Sequence, residues 1–349
     1  MNKQTEQRFS QLQVLLAKQY DANEGNVMQG KYFSITGPQE SKFIDAIQAR
    51  SDFLQKINLI PVTDIAGEKV LAGAQKTITG RKKTGRYRRV ASPLGGKYVC
   101  VETDSGIVIP WHLMDVWARM GDRFLEVYAT YVQQQIGLDQ IMIGWRGTSV
   151  AEDTDPETNQ LLQDVNKGWM QWMRENKAAN ILTEGDGGGG KIKIFGDGAD
   201  YANLDQLGYD LRQGLGDVHR ERTDLVFMVG ADLVAKEADL VSKAHGLTPT
   251  ERGAIKQHEL MGTFGGMPAA TLPNFPARGA VITTFDNLSI YTQSGSMRRK
   301  VKDDDEQKGV VDSYYRNEAY VVEDESLFVG IEFDNVVLPG DKAVPGVGG

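Results

Sequence analysis

Cysteine is nearly absent from this chain. Cys100 stands alone in 349 residues, so neither an intrachain disulfide nor a cysteine-built metal cluster can form. A lone thiol suits a reducing compartment. Proline is scarce, at 11 residues against 39 glycines, and the glycines follow no fixed period, which excludes a collagen-like chain. No run of about 18 apolar residues occurs, so the sequence offers no membrane-spanning helix. The first apolar stretch, Leu12–Leu16, is short, is interrupted by Gln13 and has no small-residue cleavage site behind it. It does not read as a signal peptide. A basic surplus is missing too. The net charge is -8, the opposite of what a dedicated nucleic-acid binder carries. These absences predict a soluble chain made in the cytoplasm, with no membrane partner.

What is present is an ordinary folding composition, 40% hydrophobic and 25% charged. The length is beyond what one core fills comfortably, so two lobes or an extended subunit are expected. Phe9, Leu12, Leu16 and Tyr20 recur at three- and four-residue intervals and predict an amphipathic helix over 5–20. Pro38 in a first turn, followed by Phe43, Ile44 and Ile47, predicts another over 38–50. Strand-like residues at 57–62 and 98–109, with Val70 and Leu71 continuing the first group, enclose a polar, basic stretch, Thr77–Gly96. That arrangement predicts a long hairpin with a protruding tip. Residues 113–145 carry the clearest helical period. As one helix they would span about 50 Å, with Gly121, Gly137 and Gly144 as places to bend or break. A helix over 160–176 follows. Next comes a compact α/β region over 203–292, with helices near 203–214, 231–244 and 249–261 and a buried strand at 225–229. Strands near 314–323 and 326–333 close the chain before a loose tail.

Enzymatic motifs are weak. Gly185-Asp186-Gly187-Gly188-Gly189-Gly190-Lys191 fits the first seven positions of a phosphate-binding loop. That chemistry needs a hydroxyl residue next, for magnesium, and then a helix start. Ile192 stands there instead, and Ile192–Phe195 alternates like a strand, which favours a glycine-rich hairpin tip. His112, His219, His245 and His258 have no metal-ligand spacing, and no Gly-x-Ser-x-Gly elbow exists. No cofactor is expected.

Charge is more informative. Arg81, Lys82, Lys83, Arg86, Arg88 and Arg89 place six positive charges in nine residues. Three readings compete: a solvated loop, nucleic-acid contact, or pairing with an acidic surface on a neighbouring copy. The chain offers such acids at Glu152, Asp153, Asp155 and Glu157, and again at Glu323, Asp324 and Glu325. Arg298–Lys302 is basic and Asp303–Glu306 acidic, a juxtaposition typical of solvated or inter-subunit segments.

Several segments resemble the major capsid proteins of phages related to enterophage P-two. They are Ser51-Asp52-Phe53-Leu54-Gln55-Lys56-Ile57-Asn58 with Leu59–Val62; Leu161–Trp169; Asp200–Asp205; Leu272-Pro273-Asn274-Phe275-Pro276; Leu288–Tyr291; Arg298-Arg299; and Tyr320–Asp324. They keep the family order over most of residues 8–333, while the hairpin tip and Gly187–Gly190 depart from the pattern. The resemblance implies an α+β fold of the Hong Kong 97 capsid type. The expected parts are an N-terminal arm (1–50), an extended hairpin loop with flanking strands (51–112), and a peripheral domain with a spine helix (113–200). An axial domain (201–295), returning strands (296–335) and a flexible tail (336–349) complete it. It also implies a shell protein that assembles into hexamers and pentamers in the virion head and has no catalytic site. The implied partners are a scaffold, a maturation protease, a portal and packaged double-stranded DNA held non-specifically. Such proteins lose an N-terminal segment, and removal of residues 1 to about 31 is expected near Lys31, Tyr32 and Phe33. The alternatives are a nucleic-acid-binding module using the basic loop and, further off, a nucleotide hydrolase using Gly185–Lys191.

Overall fold

The computed structural model describes residues 1–35, 37–69, 79–88, 96–244 and 262–341. In chain order the elements are α1 (Lys3–Gln19), α2 (Glu24–Met28), β1 (Phe33–Ser34), α3 (Pro38–Gln48), β2 (Asn58–Val62) and β3 (Ala66–Glu68). Then come β4 (Lys97–Val99), β5 (Val101–Pro110), α4 (Trp111–Ala118), α5 (Phe124–Arg146), α6 (Trp169–Asn176), β6 (Ile181–Leu182) and β7 (Ile192–Lys193). They are followed by α7 (Leu204–Gln213), β8 (Val226–Val229), α8 (Ala231–Ala244), β9 (Thr263–Phe264), β10 (Met267–Ala270) and β11 (Ala280–Thr283). The last are β12 (Leu288–Gln293), β13 (Arg298–Asp304), β14 (Gly309–Val322), β15 (Val329–Ile331) and β16 (Val336–Val337). No helix among the described residues is long and apolar enough to cross a membrane.

The described residues fall into two compact units. The first takes 1–69, 96–169 and 288–321, and the second 79–88, 170–244, 262–287 and 322–341. The first is built on a sheet ordered β1-β13-β14-β12-β2, with β5 also paired to β14. The spine helix packs here. Phe124, Tyr128, Val132, Ile136, Ile143 and Trp145 are all buried. The single helix expected over 113–145 is two helices, α4 and α5. Gly121 between them has φ +62°, a left-handed conformation that ends a right-handed helix and suits glycine. Gly144 sits inside α5, which continues past it to Arg146. A Cβ there would lie 2.3 Å from the Trp169 ring, so the missing side chain is what lets Trp169 pack.

The helix expected over 160–176 is confined to α6. Upstream of it the backbone makes non-local bonds, with Thr148 and Ser149 donating to the Gln163 carbonyl. The Asp164 carboxylate accepts from the Asp155 amide at 2.7 Å and from Asn159 Nδ2 at 3.0 Å. A helix would have to give up these bonds.

The second unit holds a sheet ordered β6-β15-β11-β8-β10-β9. Its middle strand β8 pairs antiparallel with β11 and parallel with β10, and Phe227, Met228 and Val229 are fully buried. Helix α7 lays Leu204, Leu207 and Leu211 on the same core, and the Asn203 side chain caps its start. The helix expected over 249–261, the continuation at Val70–Leu71 and the tail 342–349 lie outside the described residues.

Candidate functional site

The hairpin root is a two-stranded ladder. Strands β3 and β4 pair antiparallel, with Ala66 opposite Val99, and the Lys69 amide donates to the Gly96 carbonyl. The flanking strands then part company within the same sheet. Strand β2 runs parallel to β12, whereas β5 runs antiparallel to β14 over ten residues. Two apolar side chains at the root face outward, Ile65 at 53% exposure and Val99 at 61%. In the sequence between β3 and β4, Arg81, Lys82, Lys83, Arg86 and Arg88 are all exposed, and none of them pairs with a described carboxylate. Arg89 lies outside the described residues.

The two acidic segments differ. Glu152, Asp153, Asp155 and Glu157 are exposed on the loop after α5. Asp155 is committed to that loop: it accepts from the amides of Glu157 and Thr158 and from the Thr158 hydroxyl, bonds that hold its carboxyl below the usual range. Glu323, Asp324 and Glu325 belong to the fold instead. Glu323 is buried, and its amide donates to the Asn287 carbonyl. Asp324 accepts from Ser326 and faces His219 Nε2 at 3.2 Å, and Glu325 accepts from Trp172 Nε1. Asn287, His219 and Trp172 lie far away in sequence, so an acidic run that reads as surface is internal structure.

The N-terminal arm is anchored. Phe9, Leu12, Leu16 and Tyr20 are buried, as the period of the sequence required. The Gln13 amide donates to the carbonyls of Val27 and Val301, and the Thr5 hydroxyl bonds Asp115. After α2 the chain is exposed at Lys31 and Tyr32 and re-enters the sheet at Phe33, opposite Arg299.

Sequence reasoning missed a buried ionic row. On β14, Asp312, Tyr314, Arg316, Glu318 and Tyr320 alternate at period two, and all are buried. Arg299 grips Asp312 with two nitrogens, at 3.1 and 2.7 Å, and its guanidinium lies 4.6 Å from the Tyr314 ring centre. Tyr128 and Tyr314 donate their hydroxyls to the same carboxylate, and Tyr20 brings its hydroxyl to Arg299. Burial opposes charge on Arg299, but Asp312 outweighs it and keeps the guanidinium protonated. Alternation in a strand ordinarily marks a solvent face, which is why the row was not recognised. The opposite charges at Arg316 and Glu318 were the available signal.

The glycine run makes no nucleotide site. Gly185 N–H donates to the Lys191 carbonyl, and the amides of Gly187 and Gly190 are taken by Asp200 and Glu184 of the same chain. Strand β7 follows where a phosphate loop needs a helix. It is also no hairpin tip, because β6 pairs with β15 and β7 with β16. Among the described residues, no group of three or more His, Cys, Asp or Glu is placed to hold a metal. Cys100 is buried, and desolvation pushes its thiol up to about 12.

What the arrangement offers is surfaces: an exposed charged loop, an acidic loop and an anchored arm. The comparisons agree. The family of phage major capsid proteins, P2 family, matches over residues 8–333. The capsid protein of Escherichia phage P2 is 32% identical over 336 residues, covering 93% of this chain and 92% of that one. The major capsid protein of Serratia phage KSP20 is 30% identical, covering 84% and 86%. A subunit of the satellite phage P4 procapsid, solved with its size determination protein, superposes with a TM-score of 0.76 at 29% identity, covering 97% of this chain and 99% of that one. The α+β capsid fold implied by the resemblance is the fold observed, and the family is one of structural shell proteins, not enzymes. With its match running almost end to end, this chain belongs to the P2 family of phage major capsid proteins.

Proposed function

We propose that the chain closes into hexameric and pentameric rings that tile an icosahedral head around packaged double-stranded DNA. The observation that carries this reading is the superposition on a procapsid subunit over nearly the whole of both chains. One chain can build both rings, because head-to-tail contacts close at whichever rotation the geometry allows. Scaffold, maturation protease and portal are its proposed partners, in a virion assembled in the host cytoplasm.

The arm carries the finer proposal. Cleavage near Lys31–Phe33 would fall where the chain passes from the exposed Lys31 and Tyr32 into β1, and would release residues packed over Phe43, Tyr128 and Arg299. Mature virions should then lack Met1–Gly30 by mass spectrometry, and an intact segment would refute processing there. For the shell itself, the test is electron microscopy of the expressed chain, alone and with its phage's scaffold. Closed shells or rings are expected. A compact monomer that never assembles, even with scaffold, would overturn the reading.

A further inference from the structure

Two turns in the second unit repeat one local sequence. Gly185-Asp186-Gly187-Gly188 and Gly196-Asp197-Gly198-Ala199 each place an exposed aspartate before a glycine. Each is closed from its fourth amide to its first carbonyl, Gly188 to Gly185 at 2.9 Å and Ala199 to Gly196 at 3.4 Å. That closing bond leaves the amide at the third position unused. The two turns differ at this atom. Asp200 Oδ1 accepts from the Gly187 amide at 3.2 Å, while its Oδ2 accepts from the Lys193 amide at 2.7 Å. The Asp200 carboxylate is seated so close that a Cβ on Gly185 would lie 2.1 Å from it. Among the described residues nothing accepts from the Gly198 amide, and nothing donates to the Asp197 carboxylate.

We propose that Asp197 is a site of spontaneous isoaspartate formation, and that Asp200 protects Asp186 from the same reaction. Glycine has no side chain to block the approach of its nitrogen to the preceding carboxyl. The Gly198 nitrogen bonds to the side-chain carboxyl carbon of Asp197. The carbon–hydroxyl bond of that carboxylic acid breaks, and the hydroxyl leaves with the amide proton as water. A second water then opens the five-membered imide at the main-chain carbonyl, breaking its bond to nitrogen and leaving a free α-carboxylate. The backbone now runs through the former side chain, one methylene longer, with no change in mass and no redox partner. At Asp186 the Gly187 nitrogen must first leave the Asp200 carboxylate, which slows the attack by about tenfold or more.

The test ages the full-length chain in mildly acidic buffer. Isoaspartate is read by methyltransferase labelling and by fragmentation mass spectrometry of tryptic peptides. Cleavage at Lys191 and Lys193 puts the two sites on different peptides. Isoaspartate should accumulate at 197 about tenfold faster than at 186. In chain unfolded by guanidinium the two rates should converge, because the local sequences match. Asp197→Glu should abolish the product at 197, since its ring would need six members. Asp200→Ala, with melting to confirm the fold, should raise the rate at 186 towards that at 197. No product at 197, or equal rates in the folded wild type, overturns the site whatever the variants do. A folded Asp200→Ala chain with 186 still protected overturns the role of Asp200.

Discussion

The two ends of the buried face of β14 hold the same kind of ion pair in different states of completion. At one end, Asp312 receives two nitrogens of Arg299 and the hydroxyls of Tyr128 and Tyr314. At the other, Glu318 Oε1 takes both Arg316 Nε and Gln140 Nε2 at 2.6 Å, while Oε2 has no hydrogen-bond partner among the described residues. The Tyr320 hydroxyl lies beside this carboxylate. A buried carboxylate with every lone pair engaged rigidifies its surroundings, and one left half engaged is held mainly by its counter-ion. The Asp312 end joins four elements, α1, α5, β13 and β14, so the complete network sits where the arm meets the spine helix.

Removing the arginines should expose this difference most strongly. Arg299→Met should cost about 3–5 kcal/mol in chemical denaturation, because Asp312 is left charged, dry and without its partner. Arg316→Met should cost less, about 1–3 kcal/mol, since Gln140 still donates to Glu318 once the arginine is gone. Equal losses would break the comparison.

Alkaline pH should sharpen it. Desolvation raises the phenols of Tyr128, Tyr314 and Tyr320 well above their ordinary value, with Asp312 adding to the effect at Tyr128 and Glu318 at Tyr320. In the unfolded chain these phenols release protons near about 10. Above that pH the unfolded state binds fewer protons than the folded one, so stability falls as pH rises and is fully present below it. Melting followed from pH 8 to 11 should show this limb, and Tyr128→Phe should make it shallower. A flat profile would mean that these phenols ionise freely in the fold. The smallest effect is expected for Tyr320→Phe. Its hydroxyl lies beside Glu318, whose charge is already met by Arg316 and Gln140, so stability should stay within about 0.5–1 kcal/mol of wild type. A larger loss would mean that Glu318 depends on this hydroxyl.

The same row explains what could be read in advance. Periodicity located α1, α7 and α8 because each buries one stripe against its own unit, and a stripe is local information. The partners of Asp312 are not local: Tyr128 is 184 residues away. Neither are those of Glu325, whose indole donor Trp172 is 153 away. The sequence therefore marked a strand near 314–323 without showing that its charged residues are paired inside the fold. The basic stretch Arg81–Arg89 was legible as charge, and the sequence left its role open among a solvated loop, nucleic-acid contact and pairing with a neighbouring copy.

The glycine turn has a practical consequence. The Gly185 N–H to Lys191 carbonyl bond closes it, the Gly188 amide bonds the Gly185 carbonyl within it, and nothing lies within 4 Å of where a side chain would stand at Gly188, Gly189 or Gly190. The ends are fixed by strands, so residues inserted between Gly188 and Gly189 would lengthen an already open loop, and each doubling of its length costs only about 0.6 kcal/mol in closure entropy. The subunit thus carries its own attachment point, where a fluorophore tag or a displayed peptide could be repeated once per copy without disturbing the core beneath.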